Sequence, residues 1–83
     1  MKNKYKIVEV EWYDAQTYES YAEEIGDLKK WELLLTHTIG YLIFEDKEKV
    51  IVGFVVFGVG EEDKVKYIQM IPKGMIKKIR VLK

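Results

Sequence analysis

Ten consecutive residues, Val50 to Val59, carry no polar or charged side chain; six are β-branched and two are phenylalanines. The run is about half the ~20 residues that a membrane-spanning helix needs. Its composition favours a strand. In a strand with one wet face every second residue is polar. Here both faces are apolar: Val50, Val52, Phe54 and Val56 on one, Ile51, Val55 and Phe57 on the other. A chain of 83 residues without cysteine has little core with which to cover two faces, and no disulfide to help. Either another segment of the chain covers the outer face or a second subunit does. Large exposed apolar patches are uncommon on monomers, so self-association through Ile51, Val55 and Phe57 is the expectation.

The rest of the chain divides into similar short elements. Tyr5 to Tyr13 alternates, with Val8, Val10 and Trp12 on one side and Glu9 and Glu11 on the other, as in a half-buried strand. Asp14-Ala15-Gln16-Thr17 ends it. Tyr18, Tyr21, Ala22 and Ile25 then fall at helical spacing. Ser20 to Glu23 reads as a capping box and Gly26 as a C-terminal stop; Asp27 to Trp31 is one further turn. From about Leu34 the pattern is again that of a strand, through Leu35, His37, Ile39, Tyr41 and Ile43. Glu45-Asp46-Lys47-Glu48 is a connection of hairpin length, and Lys49 to Gly58 is the apolar strand. Gly58 to Lys64 is a mostly acidic loop. A fourth strand covers Val65 to Ile71. The sequence Ile71-Pro72-Lys73-Gly74 predicts a tight turn, with glycine accepting a positive φ, before a fifth strand, Met75 to Leu82. The expected fold is mostly β: a single domain over residues 1–83, built as a small five-stranded SH3-like or Sm-like barrel with a short helix or structured excursion after the first strand. Closure removes exposed sheet edges. The alternative is an open antiparallel sheet with the helix packed across one face.

Charge is balanced but unevenly placed. Fourteen basic residues meet fourteen acids. Residues 1–8 carry +3, residues 9–32 carry −6, residues 33–63 carry −4 and residues 64–83 carry +7. Overall neutrality argues against a general nucleic-acid binder, while the basic tail leaves room for a local anion site. Met1-Lys2-Asn3-Lys4 leads into a charged alternating segment rather than an apolar signal core, so a cytoplasmic location is expected.

Catalysis has little raw material. There is no cysteine, one histidine (His37) and one serine (Ser20). A Ser20–His37–Asp14 triad can be written down, but Ser20 reads as a helix cap and His37 lies between two threonines on a strand. No catalytic residue and no cofactor are assigned. His37 has no second histidine or cysteine as a partner, so no metal site is expected either. Glu9 and Glu11 share a strand face, and with lysine-rich neighbours they read as a salt-bridged surface. Gly58-Val59-Gly60 is followed by acids, so it is a turn and not a phosphate loop.

Two groups point to binding. Lys73, Lys77, Lys78 and Arg80 surround the proline turn and the last strand. They either hold phosphate or blunt an edge strand against aggregation. Trp12, Tyr13, Tyr18, Tyr21, Trp31 and Tyr41 crowd the first half, as core or as stacking surfaces. Combined, they predict a site for a small anionic ligand such as a nucleotide: Lys73, Lys77 and Arg80 on phosphate, Trp12 or Tyr41 stacking, and Asp14 accepting from a base or ribose. An Sm-like RNA-binding module and a protein-interaction or virion-assembly module are the alternatives.

Val10-Glu11-Trp12-Tyr13-Asp14-Ala15, Thr38-Ile39-Gly40-Tyr41-Leu42-Ile43 and Ile71-Pro72-Lys73-Gly74-Met75-Ile76-Lys77-Lys78-Ile79 together resemble a group of small phage and prophage proteins. Members show V-x-W-x-D-[AS], then [ST]-[VI]-G-[WYF]-[LV] before a turn containing D, then I-P-[KR]-x-x-I near the end. The likeness spans nearly the whole chain, least in the excursion, where Tyr18 and Tyr21 stand in place of the family's more usual tryptophan. The group has no established activity and supplies no functional residues. The resemblance implies a phage context and a compact β fold, no more; sequestration of a nucleotide defence signal in the host cytoplasm is an expectation by analogy of size and fold with other small oligomeric barrels.

Overall fold

A computed structural model describes residues 4–17, 22–58 and 62–83. Five strands, β1 (Ile7–Asp14), β2 (Leu34–Glu45), β3 (Lys49–Phe57), β4 (Lys64–Pro72) and β5 (Ile76–Leu82), form one antiparallel sheet in the order β4-β3-β2-β1-β5. A four-residue helix, α1 (Ile25–Leu28), precedes β2, and a 3-10 turn at Lys73–Met75 joins β4 to β5.

The order of the strands dictates curvature. In a flat five-stranded sheet the edge strands would lie about 19 Å apart. The four Cα-to-Cα steps from Pro72 to Ile76 reach at most about 14 Å, and less in a 3-10 turn. The sheet therefore curls at this end. The Lys73 amide donates to the Glu48 carbonyl at 2.8 Å beside the start of β3, while Ile76 stands opposite Trp12 of β1. β4 and β5 pair with β3 and β1 and not with each other, so as a hydrogen-bonded ladder the sheet is open.

Val8, Val10, Trp12, Val50, Val52 and Ile71 make the core inside the curl, with Leu42, Ile76 and Ile79 packed against it. β1 and β3 meet there although β2 separates them, because β2 contributes Gly40 at the crossing. A Cβ on Gly40 would stand 2.6 Å from Val52 Cγ1 and 2.8 Å from the Gly53 carbonyl oxygen. The interior also holds a polar relay. Trp12 Nε1 donates to Thr38 Oγ1 at 3.0 Å, and that hydroxyl donates to Gln69 Oε1 at 2.7 Å, tying β1, β2 and β4 together. At the β2–β3 hairpin, Asp46 Oδ1 accepts from the amides of Glu48 and Lys49. This side-chain turn sets the register of the strands that follow.

Several sequence expectations change. The predicted capping box and the Tyr18 and Tyr21 positions lie outside the described residues. Gly26 does not stop a helix; it lies inside α1, which buries no residue and so does not pack across the sheet. Gly74 does not take a positive φ, because the turn closes as a 3-10 helix with ordinary backbone angles; among the described residues only Gly58 and Tyr67 have positive φ. The protein measures 56 × 23 × 22 Å, with a radius of gyration of 16.7 Å. A compact domain of this length has about 12 Å. All of residues 22–33 are exposed and contribute nothing to the core.

Candidate functional site

Three surfaces carry chemistry. The first is the outer, wet face of β1. Glu9 stands opposite Arg80 on one side and Ile39 on the other; Glu11 stands opposite Lys78 and His37. Arg80 grips one oxygen of Glu9, with Nε at 2.7 Å and Nη2 at 2.5 Å from Oε1. The other oxygen, Oε2, faces His37 Nδ1 at 3.2 Å, and Glu11 Oε1 lies 3.8 Å from the same nitrogen. The Arg80 hydrogen bond and charge, followed by those of His37, hold the Glu9 carboxyl below its ordinary 4.5. The expected salt-bridged surface is present. What sequence reasoning missed is the convergence of both glutamates on His37. Their shared face was legible from alternation, but the register that puts His37 opposite Glu11 was not.

The second surface is apolar. Phe44, Ile51 and Met70 occupy one row across β2, β3 and β4, and Ile68, Val55 and Phe57 extend the exposed area along β3 and β4. Met70 is 62% exposed and Ile68 55%. Ile51 is half-buried, and Val55 and Phe57 are exposed. No described residue of the excursion covers them. Lysines line the rim. Lys49 lies 5.4 Å from the Phe44 ring, and Lys66 stands 6.0 Å from the Phe57 ring and 5.9 Å from that of Tyr67. Tyr67 has φ 59° in the middle of β4 and is 70% exposed. This pairing of exposed aromatic rings with an ammonium was also missed, because nothing in Val65 to Ile71 marks the backbone irregularity.

The third surface is the excursion itself. Ile25 is 76% exposed, and Leu28, Trp31, Leu33 and Leu34 are exposed beside it. Glu23, Glu24, Asp27 and Glu32 are interspersed among them.

The six residues expected to share one ligand site are spread over the sheet. Trp12 is 6% exposed, with its indole N–H committed to Thr38, and it offers no free face for stacking. Tyr41 pairs with Ile7 and Asp14 with Leu34, so they stand at opposite ends of the β1–β2 ladder, roughly 23 Å apart at strand rise. Lys73 meets Glu45 Oε2 at 2.5 Å and Arg80 is held by Glu9, whereas Lys77 is exposed on β5. The triad does not form around His37 either: its neighbours are Glu9 and Glu11, Asp14 is three pairs further along the ladder, and Ser20 lies outside the described residues. A shallow hollow, open to solvent, is lined by Tyr5, Ile43, Val56, Asp63, Lys64 and Val65; Tyr5 donates to Asp63 Oδ2 at 2.7 Å across it.

Comparison with known proteins returns no match: no family model fits the sequence, and no curated protein or solved structure is similar to it.

Proposed function

We propose that the chain is a non-catalytic, self-associating binding protein, a small SH3-like or Sm-like barrel whose excursion lies against the β3–β4 face of a second copy. The observation that carries this reading is the row Phe44–Ile51–Met70, whose outer members Phe44 and Met70 are exposed on either side of half-buried Ile51, continued by the exposed Ile68, Val55 and Phe57. Charge complementarity names the occupant. The row is rimmed by Lys64 and Lys66 and by Lys49, which also pairs with Asp46, while residues 22–33 of the excursion carry Glu23, Glu24, Asp27 and Glu32 against Lys29 and Lys30, a net charge of −2. Opposite charge around two apolar patches steers and orients association. The elongated shape fits a segment that finds its packing partner on another chain. The contact is heterologous, so copies add head to tail and close into a ring if the rotation permits. Sedimentation equilibrium at micromolar concentration tests the reading. A mass that is a multiple of 9.8 kDa is expected, and the single-chain mass would overturn it.

A small anionic ligand with an aromatic group, such as a nucleotide, is the proposed cargo. Lys66 poised over Phe57 and Tyr67 favours this class: rings for stacking and an ammonium for phosphate. The rings and the ammonium lie on the face proposed to meet a second copy, so the boundary between copies is the proposed place of binding. Capture of a nucleotide signal in a host cytoplasm extends the proposal and rests on the motif resemblance to phage proteins. Isothermal titration with a nucleotide panel is expected to give saturable heat with at least one member, and none with Lys66→Glu. Silence across the panel would remove the cargo and leave the self-association untouched.

A further inference from the structure

We infer that Glu9, Glu11 and His37 form a surface site for one divalent cation of the zinc type. The three side chains come from two hydrogen-bonded strands. Glu11 is directly opposite His37, and Glu9 is the next residue on the same face of β1. Their ligand atoms all lie within 4.8 Å of one another. An ion with ligands at about 2.0–2.1 Å, tetrahedrally placed, has its donor atoms about 3.3 Å apart. His37 Nδ1 is already 3.2 Å from Glu9 Oε2 and 3.8 Å from Glu11 Oε1. Small carboxylate rotations therefore close the set around a cation without moving the backbone.

Arg80 has a supporting place in this arrangement. It binds Glu9 Oε1 and so leaves Oε2 turned toward the imidazole, as outer-shell partners of ligating carboxylates do. One imidazole and two carboxylates suit zinc better than magnesium or calcium, which take oxygen ligands alone. Three protein ligands leave a coordination position for water or for an anionic group of a bound molecule. The cations that face the site from β5, Arg80 and Lys78, limit its affinity below that of a closed four-ligand centre.

His37 is the only histidine in the chain, which makes the test clean. The full chain, prepared without a histidine tag, is titrated with zinc chloride near neutral pH, by calorimetry and by the proton resonances of its single imidazole. One zinc ion per chain and a saturable shift of the imidazole resonances are expected. His37→Gln and Glu11→Gln are each expected to weaken binding at least about tenfold. Both side chains lie on the wet face, and circular dichroism confirms that the variants fold. Wild-type heats that do not saturate, imidazole resonances that ignore zinc, or undiminished zinc binding by His37→Gln would overturn the assignment.

Discussion

Trp12 and Thr38 meet inside the sheet, the indole N–H donating to the threonine hydroxyl at 3.0 Å, and the hydroxyl proton passes on to Gln69. Trp12 Nε1, Thr38 Oγ1 and Gln69 Oε1 are thereby each hydrogen-bonded, and among the described residues no buried side-chain polar atom lacks a partner. Thr38→Val keeps the shape and removes both bonds, leaving the buried indole N–H without an acceptor. Unfolding in urea, followed by tryptophan fluorescence, is expected to show a loss of about 1–3 kcal/mol. Thr38→Ser keeps the hydroxyl and is expected to lose much less.

Tyr67 sets stability against binding. A bulky residue at φ 59° in a strand is strained by roughly 1–2 kcal/mol, and its exposed ring returns little of that through burial. Tyr67→Gly removes the strain, so its melting temperature is expected to equal or exceed that of the wild type. Its affinity for the nucleotide that binds the wild type is expected to fall. Parallel thermal melts and calorimetric titrations check both halves.

Acid is expected to weaken the fold through β1 and β5. The folded-state pKa of Glu9 is lowered, chiefly by Arg80, so its contribution to stability is complete above the ordinary 4.5 and is lost as pH falls through the lower folded value. Asp46 behaves alike below 3.8, chiefly through the hydrogen bond from Lys49. Arg80→Gln removes the largest cause of the Glu9 shift. Urea titrations across pH are expected to show this variant weaker than the wild type near neutrality, with the gap closing in acid below pH 4.5.

Alternation and punctuation made the strands legible. Val8, Val10 and Trp12 could be placed inward and Glu9 and Glu11 outward before any pairing was known, and the polar stretch at Glu45–Glu48 marked the hairpin. The apolar Val50–Val59 run announced a strand with no wet face, and at the outer face of its described part Val55 and Phe57 are exposed while Ile51 is half-buried. Pairing partners were not legible, since strand order and register arise from tertiary packing. For that reason Glu11 and His37 were read apart, and Trp12 was given to a ligand although its own parity pointed inward. The curl that brings Gln69 to Thr38 follows from the short link between the edge strands, which becomes informative only once those strands are known to be the edges. α1 was misplaced because a four-residue helix has too little pattern to outweigh a glycine.

The proposed contact between one copy's excursion and the next copy's sheet face can be split into its two halves and put back together by mixing. Ile25→Asp with Leu33→Asp spoils the excursion and leaves the face intact; Ile68→Asp with Met70→Asp does the reverse. All four side chains are exposed, so neither pair disturbs the core. Each double variant alone is predicted to sediment at the single-chain mass of 9.8 kDa, and an equimolar mixture at twice that mass, because one intact excursion meets one intact face. A mixture that stays at the single-chain mass, or an excursion variant that still assembles alone, would contradict the account.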